Sequence, residues 1–289
     1  MSEDTRATLG VIGGSGLYDL DDLSDVRRVR LATPFGDPSD ELVLGTIGDV
    51  ELAFLPRHGR GHRILPSELN FRANIHAMKQ LGVTQLLSVG AVGSLKEEIA
   101  PGHVVVPDQF IDRSVGRTAT FFGEGIVAHV QFGDPVCAAL ADATAGAARG
   151  AGAENIHVGG TYVNMNGPQF STRAESNLYR SWGASIIGMT NLQEAKLARE
   201  AEMCFASLSL CTDYDCWHES EEEVDVSAIL EVLRANARLA AKTVGELAAT
   251  LPAGDCACRH ALDGAIISDL AAIPAEARER LRVIAGKYL

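Results

Sequence analysis

The sequence lacks several features that would assign it to other classes of protein. It has no uninterrupted apolar stretch of about 18 residues, which argues against a membrane-spanning helix. Its first six residues include two acids and no apolar run, so they do not resemble a signal peptide. It contains no internal repeat and no low-complexity segment. We therefore expect a cytoplasmic globular protein without a membrane partner.

Positive charge is also scarce. The 289 residues include 25 lysines and arginines against 38 aspartates and glutamates, a net charge of −13. An acidic surface repels nucleic acid, so we expect no nucleic-acid partner. An anionic substrate would have to be held by backbone N–H groups and by locally clustered cations, which makes such clusters informative.

The cysteine pattern does not predict a metal site. The six cysteines contain no CxxC pair, and Cys256-Ala-Cys258 does not have the spacing of a zinc ribbon. In a cytoplasmic chain the default state is the buried, reduced thiol. A redox pair or a strained disulfide between Cys256 and Cys258 stays open.

Apolar runs with strand character alternate with segments of helical spacing. Strands are predicted at 9–12, 50–55, 85–89, 103–106, 161–163 and 204–210, and helices at 71–81, 135–150, 194–202, 226–247 and 275–284. Such alternation predicts an α/β domain with a parallel or mixed sheet. No convincing linker precedes residue 250. We therefore expect one domain over residues 1–289, with a C-terminal extension from about residue 252.

Two glycine-rich segments follow predicted strands. Gly13–Gly16 would let the backbone approach an anion, and Ser15 adds a hydroxyl donor, but the G-x-G-x-x-G dinucleotide spacing is absent. Gly90–Ser94 stands at the carboxyl end of a strand, where ligands collect in open α/β sheets. A simple structural turn remains the alternative for each segment.

Basic residues cluster in Pro56–Arg63, which holds three arginines and two histidines. Arginine grips phosphate with two parallel hydrogen bonds, and histidine can donate to it. The cluster favours an anion site, and a solvated basic loop is the alternative.

Two further segments suit a flat heterocycle. Gly167-Pro168 marks a loop, and Phe170 after it could stack on such a ring, although a lone phenylalanine more often lies in a core. Asp213 and Asp215 follow an apolar run, and carboxylates two residues apart at a strand end point the same way. They suit the N7 and exocyclic amine of a purine. Helix capping or a solvated turn is the alternative for this pair.

Taken together, the segments resemble the 5′-methylthioadenosine phosphorylases, a family within the trimeric purine nucleoside phosphorylases. The resemblance runs from about Gly10 to Leu247. It rests on Gly13–Leu17, Thr33–Gly36, Arg57–Gly59, Gly167–Ser171, Arg173–Glu175, Gly188–Thr190 and Thr212–Trp217.

This resemblance implies a three-layer α/β sandwich around a central mixed sheet, a homotrimer, and no metal or organic cofactor. It implies phosphate binding by Ser15, Arg57, His58, Gly90, Ala91 and Thr190. It places Met189 against the ribose, and Phe170, Ser171 and the catalytic Asp213 and Asp215 at the purine. It assigns substrate contacts to His62, to His129 in a neighbouring subunit's 5′ pocket, and to the apolar lining Val226, Ile229 and Leu230.

The implied reaction is phosphorolysis of 5′-methylthioadenosine to adenine and 5-methylthioribose 1-phosphate, with adenosine as a secondary substrate. Phosphorolysis of 6-oxopurine nucleosides, hydrolysis by water and a regulatory nucleotide-binding module are the alternatives. One departure concerns Gly90, where many relatives have a threonine that helps to hold phosphate. The absence of this threonine hydroxyl predicts a lower affinity for phosphate.

Overall fold

The computed structural model describes residues 8–14, 23–218 and 226–289, apart from the side chains of 226–231 and 233. Within these ranges, no helix combines the length and apolar character needed to traverse a bilayer.

Eleven strands of the described chain form one sheet. They are β1 (Leu9–Gly13), β2 (Ser24–Val29), β3 (Leu42–Ile47), β4 (Val50–Pro56), β5 (Gln85–Ser94), β6 (Val104–Val106), β7 (Gln109–Asp112), β8 (Ile156–Val158), β9 (Thr161–Asn164), β10 (Ile186–Gly188) and β11 (Cys204–Asp213). The order is β2-β3-β4-β1-β5-β10-β9-β7, and β11 pairs with both β5 and β6, which in turn pairs with β8. β1 is parallel to β4 and β5, and β5 is parallel to β11 but antiparallel to β10, so the sheet is mixed.

The helices are α1 (Phe71–Gln80), α2 (Ala138–Gly150), α3 (Arg173–Ser181), α4 (Asn191–Glu200), α5 (Val226–Ala249) and α6 (Ala275–Ala285). α1 packs on α4 and α6, whereas α2 packs on α5, and members of both groups contact the sheet. The predicted α/β sandwich with a central mixed sheet is confirmed.

Several predicted boundaries were wrong at the ends of elements. β5 does not stop at Val89 but continues to Ser94, because parallel pairing with β11 extends to Gly93. The structural turn that was the alternative for Gly90–Ser94 is therefore excluded, because this segment is strand. The helix predicted from residue 135 begins at Ala138, and the one predicted from residue 194 begins at Asn191.

The segment after residue 250 packs into the main core. Leu262, Ile273, Leu281 and Ile284 are buried in the same apolar cluster as the strands of the sheet. Backbone hydrogen bonds also join this tail to the segment around residue 128, with His129 N–H donating to the Ala265 carbonyl at 2.9 Å.

Candidate active site

Four parallel strands deliver the predicted site residues to one edge of the sheet. β1, β4, β5 and β11 all run in the same direction, so their carboxyl ends meet there. β10 runs antiparallel to β5, with Ile187 opposite Gly93, so the chain after Gly188 passes back along β5 toward Gly90.

Arg57 holds these elements together. It is 3% exposed, and its Nε–H donates to Glu194 of α4 at 2.5 Å. The other guanidinium hydrogen bonds, at 2.7–3.1 Å, go to Glu194, to the Ser88 hydroxyl and to the carbonyls of Ile12 and Val89. Arg57, a predicted phosphate ligand, is therefore also one partner of a buried ion pair with Glu194. Its hydrogen bonds join β1, β4, β5 and α4.

His58 stands next to this ion pair with a defined tautomer. Its Nδ1 lies 2.8 Å from the Ile64 carbonyl, which can only accept, so Nδ1 carries the proton and Nε2 holds a free lone pair when the ring is neutral. Burial lowers the pKa of His58 to about 4, and the charges of Arg57 and His62 add to this effect. His62 is exposed and stacks on His58 with ring centroids 4.4 Å apart.

Of Gly90, Ala91 and Thr190, Gly90 lies near Arg57. A Cβ added at Gly90 would be 3.7 Å from Arg57 Nη1, an ordinary contact distance, and Ala91 is exposed. Thr190 is buried immediately before α4, and its side chain does not cap that helix. Ser15 lies outside the described residues, although the preceding Gly13 carbonyl accepts from the Arg57 N–H at 2.9 Å.

Asp213 and Asp215 lie together above Gly93. A Cβ on Gly93 would come within 2.9 Å of Asp213 Oδ1 and 3.4 Å of Asp215 Cβ. Asp213 Oδ1 accepts from the Asp215 N–H at 2.8 Å, and Oδ2 accepts from the Thr212 hydroxyl at 2.7 Å. The predicted proximity holds, but its cause differs. Asp215 follows the strand in a short 3₁₀ turn with φ of +49°, rather than lying on the same strand face.

The environment of Asp215 favours its protonated form. Burial raises the pKa of the Asp215 carboxyl, the Ser176 hydroxyl beside it opposes this increase, and the Asp213 carboxylate adds to it. Asp215 Oδ2 and Ser176 Oγ are both buried atoms that lack an aligned hydrogen bond to any described residue. Asp215 Oδ2 and Ser176 Oγ are therefore available to form hydrogen bonds with a ligand.

The loop after β9 carries the other predicted base contacts. Gly167-Pro168 is a cis peptide, and Gly167 has a φ of +64° and lies so close to Met189 that a Cβ would be 2.4 Å from its Sδ. Phe170 is 81% exposed, which excludes the core alternative for this residue, whereas Ser171 is buried.

Sequence reasoning missed Arg117, which lies in an irregular segment after β7. Its guanidinium donates to the carbonyls of Met189 and Asn166 and, at 3.1 Å, to Gln193 Oε1. It thus fixes the Met189 backbone to the loop before Gly167. Only tertiary contacts reveal this role, because its sequence neighbours carry no motif.

The residues predicted for the 5′ pocket are less fully placed. His129 is exposed, and its backbone pairs with Ala265. Val226, Ile229 and Leu230 fall in the first turns of α5, but their side chains lie outside the described part of the structure.

Comparison with known proteins agrees with this architecture. Residues 8–250 match the family model described as the phosphorylase superfamily. The chain is 58% identical to an S-methyl-5′-thioadenosine phosphorylase of Geobacter sulfurreducens, over 97% of this chain and 99% of that protein. It is also 58% identical to one of Koribacter versatilis, over 98% of this chain and 97% of that protein.

Solved structures give the same result. A methylthioadenosine phosphorylase from an antarctic soil metagenomic library superposes with a TM-score of 0.94 at 45% identity, covering 97% of this chain and 99% of that one. A variant of the adenosine/methylthioadenosine phosphorylase of Schistosoma mansoni, in complex with methylthioadenosine, gives 0.83 at 37% identity and covers 90% and 99%. The chain belongs to the phosphorylase superfamily and, within it, to the family of the S-methyl-5′-thioadenosine phosphorylases.

Proposed function

We propose that this protein is a cytoplasmic homotrimeric enzyme that splits 5′-methylthioadenosine with inorganic phosphate, giving adenine and 5-methylthioribose 1-phosphate. The observation that carries the proposal is the pairing of two unlike sites at one sheet edge. Arg57 bonds to Val89 and Ser88 of β5, and the carboxylate pair lies against Gly93 of the same strand. The names of the relatives and the methylthioadenosine bound in a solved neighbour support this assignment.

The phosphate site is assigned to Ser15, Arg57, His58 and Thr190, with the N–H groups of Gly90 and Ala91. The ion pair with Glu194 holds Arg57 in place before phosphate arrives, so little reorganisation is needed on binding. The neutral His58 has an unprotonated Nε2. It can therefore accept a hydrogen bond from the P–OH group of hydrogen phosphate while another phosphate oxygen bonds to C1′.

The purine site is assigned to Phe170, Ser171 and the two aspartates. As the C1′–N9 bond breaks, its electron pair moves into the base, and protonation of N7 neutralises the leaving group. We propose that Asp213 and Asp215 share one proton and supply it as a pair, because neighbouring carboxyls titrate together. Hydrogen phosphate loses one proton as it becomes the dianionic sugar phosphate, and this loss balances the proton given to N7. The reaction therefore needs no organic cofactor or metal in its chemical steps.

The 5′ substituent is assigned to Val226, Ile229 and Leu230 together with His129 of a neighbouring subunit. Burying a methylthio group against aliphatic side chains contributes about 1–3 kcal/mol, so adenosine should remain a slower substrate.

A substrate panel tests the proposal. Free base would be measured from methylthioadenosine, adenosine, methylthioinosine and inosine, each with and without added phosphate. We expect strict dependence on phosphate and a preference for the 6-aminopurines. Base release without phosphate would indicate a hydrolase, preference for methylthioinosine would indicate a 6-oxopurine enzyme, and no release from any substrate would indicate a binding module.

A further inference from the structure

A four-cysteine cluster lies away from the catalytic edge. The Sγ atoms of Cys137, Cys204, Cys256 and Cys258 all lie within 4.8 Å of one another, and those of Cys137 and Cys256 are 3.7 Å apart. Three of the four residues are buried, and all are free cysteines. The sequence pair Cys256-Ala-Cys258 is therefore only half of a larger group.

These spacings match a single tetrahedral metal ion. Four thiolates at about 2.3 Å from one zinc ion are separated from each other by about 3.8 Å. A disulfide would instead bring two sulfurs to about 2.0 Å. Tetrahedral coordination by four sulfurs is typical of zinc among the ions that proteins bind singly.

One local feature favours negative charge at the cluster. Cys137 is the residue that precedes α2, where the helix dipole stabilises a thiolate.

We propose that Cys137, Cys204, Cys256 and Cys258 bind one Zn²⁺ ion, which fastens the C-terminal tail to the domain. The four ligands come from three places: the start of α2, the start of β11 and the tail beyond the matched family region. The tail is also the backbone partner of the 127–129 segment, since Ala265 and Ile267 pair with His129 and Val127. The bound zinc would therefore hold in place the 127–129 segment, which carries His129.

Metal analysis of the intact protein tests this inference. Protein purified without chelator in zinc-supplemented, oxygen-free medium should hold about one Zn²⁺ per chain. Replacement with Co²⁺ should give the intense visible absorption of a tetrahedral cobalt thiolate. Intact mass reports the alternative, because two disulfides would lower the mass by about 4 Da relative to four thiols. Either that mass loss or a failure to retain zinc and cobalt at full thiol mass would overturn the proposal.

A cysteine outside the cluster provides a matched control. Cys258→Ser should lose most of the bound zinc and lower the melting temperature, whereas Cys211→Ser, at a buried site elsewhere, should keep its zinc. Retention of about one zinc per chain by Cys258→Ser and by Cys204→Ser would contradict the assignment of these ligands. Because zinc and cobalt are also measured on the wild-type chain, a variant that fails to fold does not remove the test.

Discussion

Two glycines on β5, Gly90 and Gly93, differ in how much space a side chain would have. Gly90 has room for a side chain, since the nearest atom to an added Cβ is Arg57 Nη1 at 3.7 Å. Gly93 has none, because an added Cβ would meet Asp213 Oδ1 at 2.9 Å and Ile187 at 3.2 Å. The sequence shows only that both are glycine, whereas the structure shows that one is replaceable and the other is not.

We predict that Gly90→Thr lowers the KM for phosphate. The added hydroxyl can donate to the bound anion, and one such hydrogen bond contributes about 1 kcal/mol, or roughly a fivefold change in KM. Steady-state kinetics with phosphate varied at saturating methylthioadenosine measure this effect. Gly93→Ala is the contrast, and it should reduce kcat by displacing the aspartates. An unchanged or higher KM in Gly90→Thr would show that the hydroxyl does not reach phosphate.

The aspartate pair allows a test of where the shared proton resides. Asp215 has the raised pKa, and its Oδ2 has no aligned hydrogen bond to the described residues, so we expect Asp215→Asn to lower kcat by about 10²-fold or more. The protonated form is the active one, so activity should fall as pH rises through the raised pKa of Asp215. That alkaline decline should disappear in Asp215→Asn.

The matched variant is Asp213→Asn, which keeps Asp215. It should also be slow, but it should retain the alkaline decline in its pH–rate profile. For Asp215→Asn, asparagine suits the left-handed backbone conformation at position 215, so that variant does not add backbone strain. If the decline persists in Asp215→Asn and is lost in Asp213→Asn, the proton belongs to Asp213 instead.

Residue chemistry was predictable where short motifs carried it, and not where tertiary contacts did. The Arg57-His58 and Asp213–Asp215 motifs both lie at the edge of the sheet where the carboxyl ends of β1, β4, β5 and β11 meet. No local pattern indicates that Arg57 bonds mainly to Glu194 and Ser88, because those partners are 137 and 31 residues away. Arg117 was missed for the same reason.

At the scale of elements, long apolar runs located strands and helices, but their ends depended on neighbours. β5 extends past Val89 because β11 supplies hydrogen bonds beyond that point. α3 was not predicted, although Thr172 and Glu175 form a complete capping box, a signal that the sequence displays. β10 has only three residues and forms through pairing with β5 and β9, so no local pattern could specify it.

Glu200, at the end of α4, is a buried carboxyl that makes the stability of the protein depend on pH. It accepts hydrogen bonds from Phe121 N–H and from the Thr120 hydroxyl, both at 2.7 Å. Burial raises its pKa from 4.5 to about 7. A raised carboxyl pKa contributes stability that is complete below the unfolded pKa and is lost as pH rises through the folded one.

We therefore predict that the free energy of unfolding decreases between pH 5 and pH 8, by at most about 3 kcal/mol from this group. Glu200→Gln should flatten that part of the curve, as measured by urea unfolding at several pH values. Glu175→Gln is the control of opposite sign, since hydrogen bonds from Thr172 lower the pKa of Glu175 and its contribution is lost toward acid pH. An unchanged slope in Glu200→Gln would mean that Glu200 is ionised in the folded state throughout this range.

At the scale of the whole molecule, exposed apolar side chains mark a surface suited to subunit contact. Val127 is 45% exposed and Ile267 is 64% exposed, and their backbones are joined by a hydrogen bond of 3.0 Å. Leu270 lies further along the same tail and is 48% exposed. Apolar groups gathered in this way are typical of an interface. His129 follows Val127, so this surface would carry His129 toward a neighbouring chain.

A homotrimer has a measurable consequence at this scale. Light scattering should give a mass of three times 30.6 kDa. If His129 completes the site of a neighbour, each site needs Asp213 from one chain and His129 from another. Asp213→Asn and His129→Ala, each impaired alone, should therefore recover activity when co-expressed, because about a quarter of the sites in randomly mixed trimers receive both intact residues.

Co-expression of Asp213→Asn with Asp215→Asn is the matched control for this recovery. Both aspartates of a site come from one chain, as shown by the hydrogen bond between the Asp215 N–H and Asp213 Oδ1, so no mixed trimer can restore an intact pair. Differently tagged chains, purified through both tags, ensure that mixed assemblies are assayed. Absence of recovery in such assemblies would place His129 within its own subunit's site or outside any site. Recovery in the first pair alone would show that the enzyme is complete only as an oligomer.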